Sequence, residues 1–184
     1  FSAWMRYVSG TSTTMTEDNQ DDLYFNTEIE SAIVQGDRQT FYQLIDNADL
    51  THRSGSGSTL LHKAVTGPRI EMASELIERG VDIDATDDGG YTALHRALEK
   101  KEWELAELLI EHGADPNSVT VYGITPLHTV IGYGRLDNKY VTLLLEHGAD
   151  PHLSGDSRRS PLEMAREVGY DDIAELLEEA TEEQ

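Results

Sequence analysis

The feature that most restricts this chain is a four-residue pattern that returns at a fixed interval. It reads Thr59-Leu60-Leu61-His62, then Thr92-Ala93-Leu94-His95, then Thr125-Pro126-Leu127-His128. The histidines are 33 residues apart both times, and a weaker copy, Ser160-Pro161-Leu162-Glu163, follows after 35. A second series keeps the same phase: Glu78-Arg79-Gly80-Val81-Asp82, Glu111-His112-Gly113-Ala114-Asp115 and Glu146-His147-Gly148-Ala149-Asp150. Its glycines are again 33 and then 35 apart. Two motifs on one spacing mean one supersecondary unit repeated, with two residues inserted between His128 and Gly148.

Each unit reads as two short helices. Thr59 stands where a hydroxyl caps a helix start, and Leu61, Ala64 and Val65 form the apolar stripe behind it. Gly67-Pro68 ends that helix, because Pro cannot continue one. Ile70, Met72, Ala73, Leu76 and Ile77 give the second helix its period, and Gly80 supplies a left-handed stop. Trp103, Leu105, Ala106, Leu108, Leu109 and Ile110 repeat the second stripe one unit later. Pro126 and Pro161 fall at the first helical position, where a missing N–H costs nothing. The insertion falls between two helices, in the glycine-rich stretch from Gly132 to Asn138. Neither helix can bury its apolar side alone, so the units must stack into one elongated core.

A period of 33 with a Thr-Pro-Leu-His-like start resembles the ankyrin repeat, over roughly residues 26–180. The resemblance implies an all-α solenoid of stacked helix-turn-helix pairs joined by β-hairpin-like loops. Its expected units are a capping repeat at 27–53, full repeats at 54–86, 87–119 and 120–154, and a closing repeat at 155–184. They form one domain over 17–184, preceded by an extension or linker at 1–16. A capping box, Thr27 with Glu30, is expected to open the first helix.

Residues 1–14 differ from the rest. Phe1, Trp4, Met5 and Val8 fall on one helical face, and Ser9 to Thr14 reads as a linker. Three readings stay open: an upstream extension, an anchor packed on the first unit, or a short helical ligand for a partner's groove.

The chain has 35 acidic residues against 14 basic ones. Such a surface repels phosphate backbones, which argues against nucleic-acid binding, and it favours a basic partner through steering. No apolar run approaches the ~20 residues of a membrane span. No signal-peptide pattern opens the sequence, and cysteine is absent. The expectation is therefore a monomeric cytoplasmic protein without cofactor.

His62, His95 and His128 invite a metal reading. Stacked units lie ~10 Å apart, the packing distance of helices, whereas zinc needs ligands at ~2.0–2.1 Å, so the column cannot close on one ion. The resemblance implies instead that these histidines, with Thr59, Thr92 and Thr125, are structural and bond backbone at the junctions between repeats. No nucleophile elbow, phosphate loop or zinc helix occurs, so no catalytic residue is expected and the chain reads as non-enzymatic. Asp87-Asp88-Gly89-Gly90 lacks the spacing of a calcium loop and reads as a turn.

Ankyrin repeats generally bind proteins, and the resemblance places contacts on the loop tips and the exposed side of each first helix. Here those positions are Ser56, Ser58 and Thr66, then Asp88, Tyr91, Glu99 and Lys100, then Val121, Tyr122, Ile124 and Tyr133, then Asp156, Arg158 and Arg159. Tyr91, Tyr122 and Tyr133 with Val121 and Ile124 make an aromatic and apolar group suited to an interface. The alternative is that Tyr91 and Ile124 only pack the loops together. The expected function is a protein-protein interaction module with a groove for a partner; a second reading is an acidic inhibitor or immunity-type protein that blocks a basic enzyme or toxin.

Overall fold

The computed structural model describes residues 28–132, 138–155 and 159–182. The segment 1–16, Thr27 of the expected capping box, Tyr133, Asp156 and Arg158 lie outside the described residues.

Each repeated motif starts a helix, and each glycine motif ends one. Helix α1 (28–35) pairs with α2 (Arg38–Leu44), which runs into a 3-10 turn at Ile45–Asn47. The next pairs are α3 (Leu60–Thr66) with α4 (Ile70–Glu78), and α5 (Ala93–Lys100) with α6 (Trp103–Glu111). Then come α7 (Pro126–Gly132) with α8 (Lys139–Glu146), and α9 (Pro161–Val168) with α10 (Asp171–Glu182). The chain is an all-α repeat solenoid. Helices α3, α5, α7 and α9 lie side by side in a first row, and the second helices form another row behind them. Helix α7 ends at Gly132 and α8 starts at Lys139; the expected insertion, but for Gly132 and Asn138, lies outside the described residues.

The apolar stripes meet in one continuous core. Ile29, Ile33, Phe41, Leu61, Leu76, Leu94, Leu105, Leu144 and Leu177 are all at most 1% exposed. Ala64, Ala97 and Ala165 are fully buried where first helices touch, and Val130 takes that place in α7. In the second row, Trp103 stacks on Tyr140 with ring centroids 4.1 Å apart. Asp171 and Asp172 stand in the first turn of α10, where the helix dipole favours acids.

The loops expected to be hairpin-like contain no strand among the described residues. Three of them are tight turns closed by two backbone bonds. Asp87 N–H donates to Tyr91 O (2.9 Å) and Gly90 N–H to Asp87 O (2.9 Å), and Ser54 with Ser58 and Thr120 with Ile124 repeat the arrangement. Successive turns are then laced by single bonds: Asp88 N–H to Ser56 O (3.2 Å), Val121 N–H to Gly89 O (3.1 Å) and Gly155 N–H to Gly123 O (3.4 Å). One bond per junction is too few to make a ladder, which is why no sheet forms among the described residues.

This lacing makes Gly90 irreplaceable. Its φ is +76°, and an added Cβ would lie 2.8 Å from Val121 N and 3.0 Å from Thr120 Cα. Gly90→Ala should therefore cost on the order of 1–3 kcal/mol. Urea denaturation would show this as a lower midpoint at unchanged slope. An unshifted midpoint would mean that the turns do not touch as described.

Candidate interaction groove

The motif threonine and histidine build each junction from the same set of bonds. Thr59, Thr92 and Thr125 each accept from the backbone N–H of the histidine three residues on (3.4 Å each). In return the threonine N–H donates to histidine Nδ1, at 3.3, 3.3 and 3.1 Å. The other ring nitrogen reaches the next unit. His62 Nε2 lies 2.9 Å from Tyr91 O, His95 Nε2 3.2 Å from Ile124 O, and His128 Nε2 2.7 Å from Arg159 O. A carbonyl can only accept, so Nε2 carries the proton and Nδ1 is free to accept from the amide. The three rings are neutral pins between units. Burial pushes His62 below its ordinary range and His95 down to about 4. Among the described residues, no three His, Asp or Glu side chains come together as a metal site would need.

The last unit departs from this in an informative way. Ser160 N–H donates to Glu163 Oε2 (2.9 Å) and Glu163 N–H to Ser160 Oγ (3.2 Å). The helix start is capped as before, but a carboxylate cannot donate onward.

A second chain of junction bonds runs through residues that the repeat motifs do not mark. Asn117 Nδ2 donates to Gly148 O and Asn117 Oδ1 accepts from Asp150 N, both at 2.7 Å. One unit earlier, Asp84 Oδ1 accepts from Asp115 N at 2.8 Å. His112 and His147 bond the carbonyls of Leu108 and Leu143, closing the ends of α6 and α8.

Two adjoining hollows open along the first row and its loops. One, of about 330 Å³, is lined by Tyr91, Glu99, Ile124, His128, Thr129, Gly132 and Met164. The other, of about 320 Å³, is lined by Ser56, Ser58, His62, Lys63, Thr66, Asp87, Arg96, Glu99 and Lys100. Glu99 borders both, so they form one groove touching four units, from Ser56 in the first full repeat to Met164 in the closing one. No residue of α4, α6 or α8 reaches it.

The expected contact residues divide within this geometry. Ser56, Ser58, Thr66, Glu99 and Lys100 line the polar hollow, and Tyr91 and Ile124 line the apolar one. Val121 and Tyr122 line neither hollow; they stand at the next turn, 67% and 59% exposed. Tyr91 lies 6.3 Å from Tyr122 between ring centroids, and the Arg96 guanidinium covers its ring at 4.0 Å. Asp88 is exposed at its turn. Arg159 is exposed too, and its side chain pairs with Glu167. Ile124 lines the apolar hollow, and its carbonyl receives the Nε2 proton of His95.

The sequence reading passed over Lys63, Arg96, Thr129 and Met164, all of which line the groove. A signal was present. Lys63, Arg96 and Thr129 each follow a motif histidine and stand three residues before Thr66, Glu99 and Gly132, so they share a helix face with them. Arg96 also orders the middle turn. It donates to Asp87 Oδ2 and, at 2.9 Å, to Glu99 Oε2, while Asp87 Oδ1 receives the amides of Gly89 and Tyr91. Burial alone would raise the Asp87 carboxyl; Arg96 and the amides overcome that and hold it below the ordinary carboxylate range.

The acid excess does not sit in the groove. Helices α3, α5 and α7 carry three bases and one acid, whereas α4, α6 and α8 carry seven acids and one base. No helix among the described residues is long and apolar enough to cross a membrane.

The family described as "Ankyrin repeats (3 copies)" matches residues 29–120, and "Ankyrin repeat" matches residues 122–153. No curated protein matches the chain. The laced turns, the threonine–histidine pins and these two matches agree on one conclusion: the chain belongs to the ankyrin repeat family.

Proposed function

We propose that this chain is a non-enzymatic module that holds a segment of a partner protein in the groove along its first row of helices. Ankyrin repeats are generally protein-interaction modules, and the family is typically non-enzymatic. The observation that carries the reading is the pair of adjoining hollows sharing Glu99, with the exposed Tyr122 ring 6.3 Å from that of Tyr91, which lines one of them. Tyrosine is a favoured interface anchor, since it offers large contact area at low entropic cost. The histidine pins hold the groove walls in register before any partner arrives, so little ordering is needed on binding.

A second reading, an acidic inhibitor of a basic enzyme or toxin, draws on a different surface. Helices α4 and α6 together present six acids and no base, which suits a cationic partner. Site-specific photo-crosslinking separates the two. A benzophenone residue in place of Lys100 or Tyr122 reports on the groove, and one in place of Glu104 reports on the second row. The groove reading expects partner adducts from the first two positions and none from the third. Adducts from position 104 alone would replace it with the inhibitor reading.

A further inference from the structure

The groove reading can be carried to the chemistry of the segment it takes. We propose that the polar hollow receives a carboxylate of the partner, and that the apolar hollow beside it receives an aliphatic or aromatic side chain of the same extended segment. This rests on the groove reading above and adds the partner's charge to it.

The charge argument is local. Five charged side chains line the polar hollow: Lys63, Arg96 and Lys100 against Asp87 and Glu99. Arg96 bonds both acids, so those three charges are engaged with one another. Lys63 and Lys100 form no ion pair among the described residues. Two ammonium groups therefore remain to set the preference of the site. They stand out in a chain of net charge −21 with only four lysines. Ser56 and Ser58, 3.1 Å apart between their hydroxyl oxygens, add donors that suit a carboxylate.

The neighbouring hollow is the more apolar of the two, though Glu99, His128 and Thr129 also border it. Tyr91, Ile124 and Met164 supply ring, branched and thioether surfaces there. The polar hollow lies between units 54–86 and 87–119 and the apolar one starts at the next junction, between 87–119 and 120–154; units stack ~10 Å apart. An extended chain rises ~3.3 Å per residue, so the carboxylate and the apolar side chain should be about three residues apart. A basic segment would instead meet Lys63 and Lys100 as like charges, which interfaces are built to avoid.

The test uses the full chain, immobilised and offered a random peptide library displayed on phage. The wild type should enrich sequences with Asp or Glu about three residues from Leu, Ile, Met or Phe. Lys63→Glu with Lys100→Glu should cut the affinity of those peptides by about tenfold or more. The reversed variant should enrich Lys or Arg at the same place. Circular dichroism confirms that the doubly substituted chain stays folded; both positions lie on the groove surface. Wild-type enrichment of basic or uncharged peptides, still lost on Tyr122→Ala, would overturn the carboxylate and leave the groove reading standing. Peptides unaffected by Tyr122→Ala and by the lysine reversals, or no enrichment at all, would overturn both.

Discussion

Lowering the pH from 7 to 5 should weaken the fold by about 2 kcal/mol through His95 alone, and His95→Gln should remove most of that pH dependence. The folded ring titrates at about 4 because it is buried between units, whereas in the unfolded chain it titrates near 6.5. Between those values the unfolded state binds the extra proton, so acid favours it. The stabilisation is complete above pH 6.5 and is lost as pH falls toward 4. His62 is lowered by the same burial and adds in the same direction. Asp87, Asp115 and Arg96 are the charges that face His95. Asp87 is held below its ordinary range, so its own contribution persists through this window and fails only at more acid pH. Gln suits the comparison because it can still reach back to the Thr92 amide as a capping box requires, yet it does not titrate. Urea unfolding at pH 7, 6 and 5 for both proteins reads the effect. Parallel pH profiles would mean that the imidazole is not the titrating group.

Leu94→Ala should destabilise the protein by about 2–5 kcal/mol, lowering Tm by roughly 10 °C for a chain of this size. Leu94 is fully buried, and its helix, α5, packs against both α3 and α7. The cavity would therefore open at the middle of the row, where closing it would require both neighbours to shift together. Val121→Ala, at a turn where the residue is 67% exposed, provides the contrast; it should stay within about 0.5 kcal/mol of wild type. If the two variants melted alike, the stripes read from the sequence would not be a packed interior.

The architecture was legible because periodicity and motif coincide. A buried Leu recurs with a capping Thr and a left-handed Gly, so the first-helix starts at Thr59 and Thr92 and the second-helix stops at Gly80, Gly113 and Gly148 have a local cause. The site was legible only in part, because each hollow is closed by residues about one period apart. Nothing local to Lys63 says that Ser56 and Lys100 share its hollow. Nothing local to Arg96 says that Asp87 and Glu99 will occupy its charge. The acid count is a whole-chain quantity, and it pointed to a basic partner without telling which row of helices holds the acids. Lys101, left-handed at φ +61° where other units use glycine or a looser end, had no sequence signal at all. The Asn117 bridge had one, since Asp84 stands a full period before it, but a polar pair in two loops does not announce a bond to the following unit.

The imidazole pins also give the stack a direction. Every motif that ends in His offers a hydrogen outward, and every following turn offers the carbonyl that takes it. Glu163 is a blank in that lock. An extra module grafted behind α10 would find no proton waiting at the seam, and Glu163→His is the single exchange that would supply one.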